Sequence, residues 1–140
     1  MADHPEYVLP SPTGPLVGAI EPLQSLTAKY DPESSFIPML TSIAAKYGSY
    51  RAVRGDGSCA YRALLYGLCM GALSNSLELS RIQKYATDSI TVLESLGYDV
   101  TAIEIFYDEF KDLFTETIPE ATEETLHEVL TGPSAEYFTW

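Results

Sequence analysis

The residues with the most chemical potential lie in one run, Arg54-Gly55-Asp56-Gly57-Ser58-Cys59. A thiol becomes a good nucleophile when it is partly ionised, and the N-terminus of a helix favours the thiolate through its unpaired N–H groups and its dipole. The apolar residues after Cys59 predict a helix that starts there, with Ser58 as its N-cap. Gly55 and Gly57 let backbone N–H groups approach a substrate closely. Such donors, taken from Gly57, Ser58 and Cys59, can hold a developing oxyanion, and one donor is worth about 3–4 kcal/mol in acyl transfer. Asp56 would shape the loop by bonding nearby backbone N–H groups.

The opposing reading is that a free cysteine is a small buried hydrophobe, as most are. Cys69, inside the apolar run, reads that way. Cys59 differs by its glycine loop and its place at a helix start, and the residues alone leave both readings open for it. A cysteine nucleophile also needs a base. The chain has two histidines. His4 lies in the proline-rich start. His127 lies on an acidic helical stretch, where Glu124 and Glu128 would favour the charged imidazolium, a form that cannot take a proton. The histidine reads best as an exposed helical residue.

The elements around the run are mostly helical. Residues 1–18 hold four prolines and no apolar period, which predicts a flexible arm. Leu23, Leu26 and Tyr30 suit a short helix after Pro22, broken at Asp31-Pro32. Phe36, Ile37, Leu40, Ile43 and Ala44 suit the next, capped by Ser34 or Ser35 and closed by Gly48. Tyr50 to Val53 reads as a short strand. Cys59 to Leu73 is apolar on most sides, which predicts a central helix, with Gly67 and Gly71 marking close helix packing. Leu77 to Leu96 is another helix, stopped by Gly97. Ile103, Phe106, Tyr107, Phe110, Leu113 and Phe114 give the clearest amphipathic rhythm, and Pro119 ends that helix or opens the following one. Leu126, Val129 and Leu130 mark a last helix before Gly132-Pro133.

A chain of 140 residues suggests one domain large enough to bury a core without staples. Cys59 and Cys69 on one helix would stand about 15 Å apart, too far for a disulfide. Two unpaired thiols and no signal peptide suggest a reducing, intracellular setting. No apolar run approaches a membrane span. The lack of a C-x-x-C pair and the scattered histidines argue against a zinc site, and no cofactor is implied. The net charge is −12. Residues 1–70 carry five Lys/Arg against six Asp/Glu, and residues 71–140 carry three against fourteen. An acidic half of this kind repels nucleic acid and anionic membranes, and suits a partner with a basic face. The simpler account of most of these charges is a solvated helical surface. The final aromatic segment, Ala135 to Trp140, reads as the start of a further element, so the chain is expected to be cut short at its C-terminus.

Arg54-Gly55-Asp56-Gly57-Ser58-Cys59-Ala60-Tyr61-Arg62-Ala63 resembles the catalytic motif of OTU (ovarian-tumour) cysteine proteases. The segments Ile20 to Leu26 and Ile43 to Gly48 look like the N-terminal helices of that family's otubain branch, and the helices after Cys59 look like its helical arm. The resemblance covers about residues 20–140. It implies an α+β, papain-like cysteine protease fold of which this chain holds mainly the helical part, with residues 19–140 as the domain.

It also implies a deubiquitinase that cleaves ubiquitin from conjugates through a thioester on Cys59. Asp56 would belong to the oxyanion loop, with backbone N–H groups from Gly57 to Cys59, and Arg62 would be structural. Two departures stand out. Ala60 replaces a bulky aromatic, which predicts a cavity or repacking by Tyr61. The family takes its histidine from C-terminal strands, and this chain offers no equivalent, so it is expected to be inactive by itself. The partners implied are ubiquitin or polyubiquitin and a ubiquitin-conjugating enzyme, and the location cytoplasmic, with the nucleus as a second compartment. The alternatives are a non-catalytic module binding ubiquitin or a conjugating enzyme, and a helical scaffold with a buried cysteine.

Overall fold

In the computed structural model the described residues are 13–133 and 135. The proline arm up to residue 12, His4 and the aromatic residues 136–140 lie outside them. The chain divides into two units, Met1–Asp56 and Gly57–Trp140.

The first unit is built on a two-stranded antiparallel sheet, β1 (Val17–Pro22) with β2 (Ser49–Val53). Val17 pairs with Val53 and Glu21 with Tyr50, and the register shifts between Val17 and Ile20. A strand at β1 corrects the expected arm, which was to run to Gly18. Leu16 and Val17 are buried, and their partner lies more than 30 residues away, so no local pattern announces the pairing. A 3-10 helix (Leu23–Lys29) follows β1 where a short helix was expected. The Leu23 N–H donates to the Gly48 carbonyl (3.1 Å), so Gly48 ties this helix to the turn before β2. It has no left-handed backbone of the kind that closes helices.

Lys29 donates to the Tyr50 hydroxyl (2.8 Å), which donates to the Glu21 carboxylate (2.7 Å). Those two neighbours hold the Glu21 carboxyl below its ordinary range. Between helix and strand lies α1 (Phe36–Ala44), which buries none of its apolar residues.

The second unit is a helical bundle: α2 (Cys59–Ser74), α3 (Ser76–Ser95), α4 (Val100–Asp112), a π-turn (Leu113–Thr117), α5 (Ile118–Glu120) and α6 (Glu123–Thr131). Local signals set the boundaries. The Asn75 side chain accepts from the N–H groups of Leu77 and Glu78 at the start of α3. Gly97, at φ +87°, ends it. Asp99 caps α4, and Thr122 and Thr125 form a capping box on α6.

The core joins Leu65, Cys69 and Ala72 of α2 to Ile82 of α3, Leu113 and Phe114 of the π-turn, Ile118, Leu126 and Leu130. Only one stripe of α2 is covered. Tyr61, Ala63, Leu64, Gly67 and Gly71 are exposed, and an added Cβ at either glycine would meet nothing within 4 Å. That corrects the expectation of close packing at Gly67 and Gly71: among the described residues no helix lies against that face.

The aromatic rhythm expected as one helix also divides. Ile103 to Phe110 lie on α4, which has no fully buried residue, while Leu113 and Phe114 lie in the π-turn and are buried. Pro119 falls in the first turn of α5, the second of the two readings for it.

Candidate active site

β2 ends at Val53, and the next three residues tie the loop down. The Arg54 N–H donates to the Leu16 carbonyl (3.0 Å), and the Asp56 N–H donates back to the Arg54 carbonyl (3.1 Å). Arg54 Nε donates to Asp56 Oδ2 at 2.9 Å. The Asp56 side chain thus has this guanidinium as one partner. Asp56 closes the first unit, and Gly57 opens the second.

Gly57 has φ +91°, a backbone that L side chains rarely adopt, which explains glycine at that position. Ser58 follows at φ −97°, ψ 6°, the bridge region where many active-site residues sit. It occupies the N-cap position as expected, but its hydroxyl makes no capping bond. The first N–H groups of α2 are therefore not taken up by that side chain. Cys59 is the first residue of α2 and is half-buried, so its thiol meets both the helix terminus and solvent.

Cys69 is fully buried in the core, and desolvation pushes its thiol up to about 12. The two cysteines thus separate as the sequence suggests, one reachable and one inert.

Ala60 is exposed, and Tyr61 is 69% exposed. The absent aromatic leaves no internal cavity here and Tyr61 does not repack, because that side of α2 is uncovered. Arg62, one turn on, is buried, which fits a structural role.

His127 was expected to be exposed. It is half-buried, and its Nδ1 hydrogen-bonds the Tyr66 hydroxyl at 2.9 Å, with the rings edge to face. Tyr66 lies seven residues along α2 from Cys59, about 10 Å of helix rise. Among the described residues no hydrogen bond joins His127 to Cys59. The histidine serves the α2–α6 contact.

Two partners escaped the sequence reading, Arg54 for Asp56 and Tyr66 for His127. An arginine two residues before the aspartate was a usable signal. The tyrosine, 61 residues from its histidine, was not. A groove of about 610 Å³ is lined by Leu68, Ile82, Tyr85, Ala86, Val92 and Phe110. Its lining residue on α2, Leu68, lies nine residues along the helix from Cys59. Among the described residues no cluster of His, Cys, Asp or Glu could hold a metal ion, and no helix is long and apolar enough to cross a membrane.

The family model for peptidase C65, otubain, matches residues 10–136. The chain belongs to the otubain peptidase family. The Caenorhabditis elegans protein described as ubiquitin thioesterase otubain-like is 35% identical over 120 residues, which cover 83% of this otubain chain and 42% of the relative. The Arabidopsis thaliana ovarian tumor domain-containing deubiquitinating enzyme 1 is 29% identical over 115 residues, 80% of the chain and 37% of the relative. The solved structure of h/ceOTUB1 with ubiquitin aldehyde and UBC13~Ub matches with a TM-score of 0.81 at 32% identity, over 90% of this chain and 51% of that one. A second, with ubiquitin aldehyde and UBCH5B~Ub, has a TM-score of 0.73. The otubain chain therefore spans about half the length of the solved relatives and less of the curated ones. Its α+β class is that of the family, with the helical part predominant.

Proposed function

We propose that this otubain chain carries the nucleophile of a deubiquitinase, Cys59, with the Gly57 to Cys59 backbone as oxyanion donors. The observation that carries the reading is the half-exposed thiol at the first residue of α2, directly after a left-handed Gly57. The relatives' names as ubiquitin thioesterase and deubiquitinating enzyme support ubiquitin as the substrate.

The thiolate adds to the carbonyl carbon at the ubiquitin C-terminus. A C–S bond forms and the carbonyl π pair moves onto oxygen, which accepts the loop N–H bonds. Collapse expels the amine with a proton and leaves a thioester, which water cleaves to a carboxylic acid and the thiol. The last two proton transfers need an acid–base group, and His127 is engaged by Tyr66. Its absence from the thiol costs about 10²–10⁴-fold in turnover. Cytoplasm and nucleus are the proposed locations, because the reaction requires a reduced thiol.

A ubiquitin bearing a C-terminal electrophile should label the chain once, at Cys59, and Cys59→Ala should abolish labelling. Hydrolysis of a fluorogenic ubiquitin should be slow, and His127→Ala should leave labelling within about twofold. No labelling would refute the nucleophile. Brisk turnover lost in His127→Ala would refute the assignment of the histidine.

A second reading has its own observation. On α4, Ile105 is 69% exposed and Phe106 is also exposed, beside Glu104, Asp108 and Glu109. Apolar side chains ringed by carboxylates suit a partner with an apolar patch and a basic rim, such as ubiquitin or a conjugating enzyme of the kind in the related complexes. Titration with each should give binding that weakens with salt and is lost in Ile105→Asp. Salt-indifferent binding would contradict it.

A further inference from the structure

We propose that the groove along α3 is a docking site for a basic amphipathic helix of a partner protein. It does not involve Cys59 and stands independently of the deubiquitinase reading. Its floor is Ile82 and Ala86, which are 7% and 1% exposed. Tyr85 and Val92 of the same helix also line it and are 67% and 54% exposed, so they form its rim. Leu68 of α2 and Phe110 of α4 complete the apolar wall.

Both aromatic side chains are held before any partner arrives. The Glu78 carboxylate grips Arg81 through Nε (2.9 Å) and Nη2, and the guanidinium lies 5.5 Å from the centre of the Tyr85 ring. The Phe110 ring packs edge to face on the fully buried Phe114, with centroids 5.1 Å apart. A preformed groove avoids much of the ordering cost that weakens binding. Its length favours a helix. The lining on α3 runs from Arg81 to Leu93, about 18 Å of helix rise or three turns. A partner helix fills such a groove with apolar side chains at i, i+3 or i+4, and i+7. Charge decides which helix. Residues 71–140 hold fourteen carboxylates and three cations, Arg81, Lys84 and Lys111. Each cation is already paired, with Glu78, Asp88 and Asp108 respectively. The field of this half is therefore that of the remaining carboxylates, which draws in a basic helix and repels an acidic one.

The test uses the full 140-residue chain, at concentrations where it sediments as a monomer, and three dye-labelled peptides. Each peptide has about 15 residues, enough for four helical turns. The first carries leucine at i, i+3, i+7 and i+10 and lysine elsewhere. The second has the same composition with the leucines scattered round the helix, and the third has glutamate in place of lysine. Fluorescence anisotropy should show the first binding about tenfold tighter than the other two, with affinity falling as salt rises. Val92→Asp should weaken it about tenfold although the new carboxylate attracts lysine, so the loss reports the apolar contact. Leu77→Asp adds the same charge to α3 at an exposed position outside the groove, and should bind within about twofold of wild type.

Amide chemical shifts of the wild-type chain carry the test where Val92→Asp fails to fold. Peptide should move those of Ile82, Ala86 and Val92 most. Equal binding by the aligned and scattered peptides, undiminished binding in Val92→Asp, or shifts centred elsewhere would overturn the proposal. Displacement of the peptide by ubiquitin would give the groove to ubiquitin and overturn it as well. If raising the chain's own concentration displaces the peptide as a dimer forms, the occupant is a second copy and the proposal falls. None of these arms uses Cys59, so failure here leaves the deubiquitinase reading standing.

Discussion

Cys59 and Cys69 share a helix and differ in almost every property that governs a thiol. Cys59 begins α2 and reaches solvent, while Cys69 sits 0% exposed among the core side chains of α2, α3 and α6. Burial without a charged neighbour destabilises the thiolate, which raises the Cys69 value from 9.0 to about 12. The sign follows from linkage. The folded state keeps this proton longer than the unfolded state, so the contribution is fully present below about pH 9. It is lost as pH rises from there toward 12, by about 1.4 kcal/mol per pH unit.

At pH 8 a small thiol reagent should therefore modify one cysteine in the native chain and two in denaturant. Urea midpoints should fall between pH 9 and 10.5, and Cys69→Ala should flatten that fall relative to wild type while lowering stability at every pH. An unchanged alkaline slope in Cys69→Ala would show that other groups carry it. The contrast between the thiols was legible in the sequence because one follows glycines and the other lies among leucines. The pairing of Arg54 with Asp56 was also within reach of the sequence, since only Gly55 separates the two charges.

At the scale of elements, the π-turn shows how a break in one helix is repaired by another. The Ile118 N–H donates to the Leu113 carbonyl, a five-residue step. The next step would join the Phe114 carbonyl to residue 119, but Pro119 has no N–H. Gln83 of α3 supplies the missing donor, with its Nε2 at 2.9 Å from the Phe114 oxygen. Phe114 is fully buried, so its carbonyl has little access to water.

Gln83→Leu keeps the volume and removes the donor. It should cost about 1–3 kcal/mol in urea unfolding, the penalty for a buried acceptor left unmade. Thr87→Val, which removes only an exposed hydroxyl bond to the Gln83 carbonyl, should stay within about 0.5 kcal/mol. Equal effects from the two would mean that the π-turn does not depend on Gln83. Caps and stops such as Asn75, Gly97 and Thr122 act within a few residues, so most helix ends could be read directly. The π-turn depends on a proline and a glutamine 36 residues apart, and β1 depends on a strand across a similar gap. Both are tertiary facts that periodicity does not carry.

At the scale of the molecule, each unit leaves apolar surface bare. In the first, α1 exposes Phe36, Met39 and Ile43. In the second, α2 exposes Tyr61 and Leu64, α3 exposes Tyr85 and Val92, and α4 exposes Ile105. Scattered apolar residues are ordinary on protein surfaces, but runs along successive helices are characteristic of interfaces. These same positions were legible in the sequence as helical faces, and periodicity cannot say whether a face is covered. The chain spans about half the length of the related solved chains.

With net stability the small difference of large terms, uncovered apolar area has consequences at working concentration. The 140-residue chain should bind an apolar fluorescent dye strongly. It should sediment as a concentration-dependent mixture at tens of micromolar, although its charge of −12 opposes association. Raising salt should screen that charge and strengthen association, whereas a complex held by ion pairs would weaken. Leu64→Glu with Tyr85→Glu should shift the mixture toward monomer without loss of helix content. A strictly monomeric chain with a single cooperative melt near about 60 °C, ordinary for an intact domain, would show that the exposed faces carry no such cost.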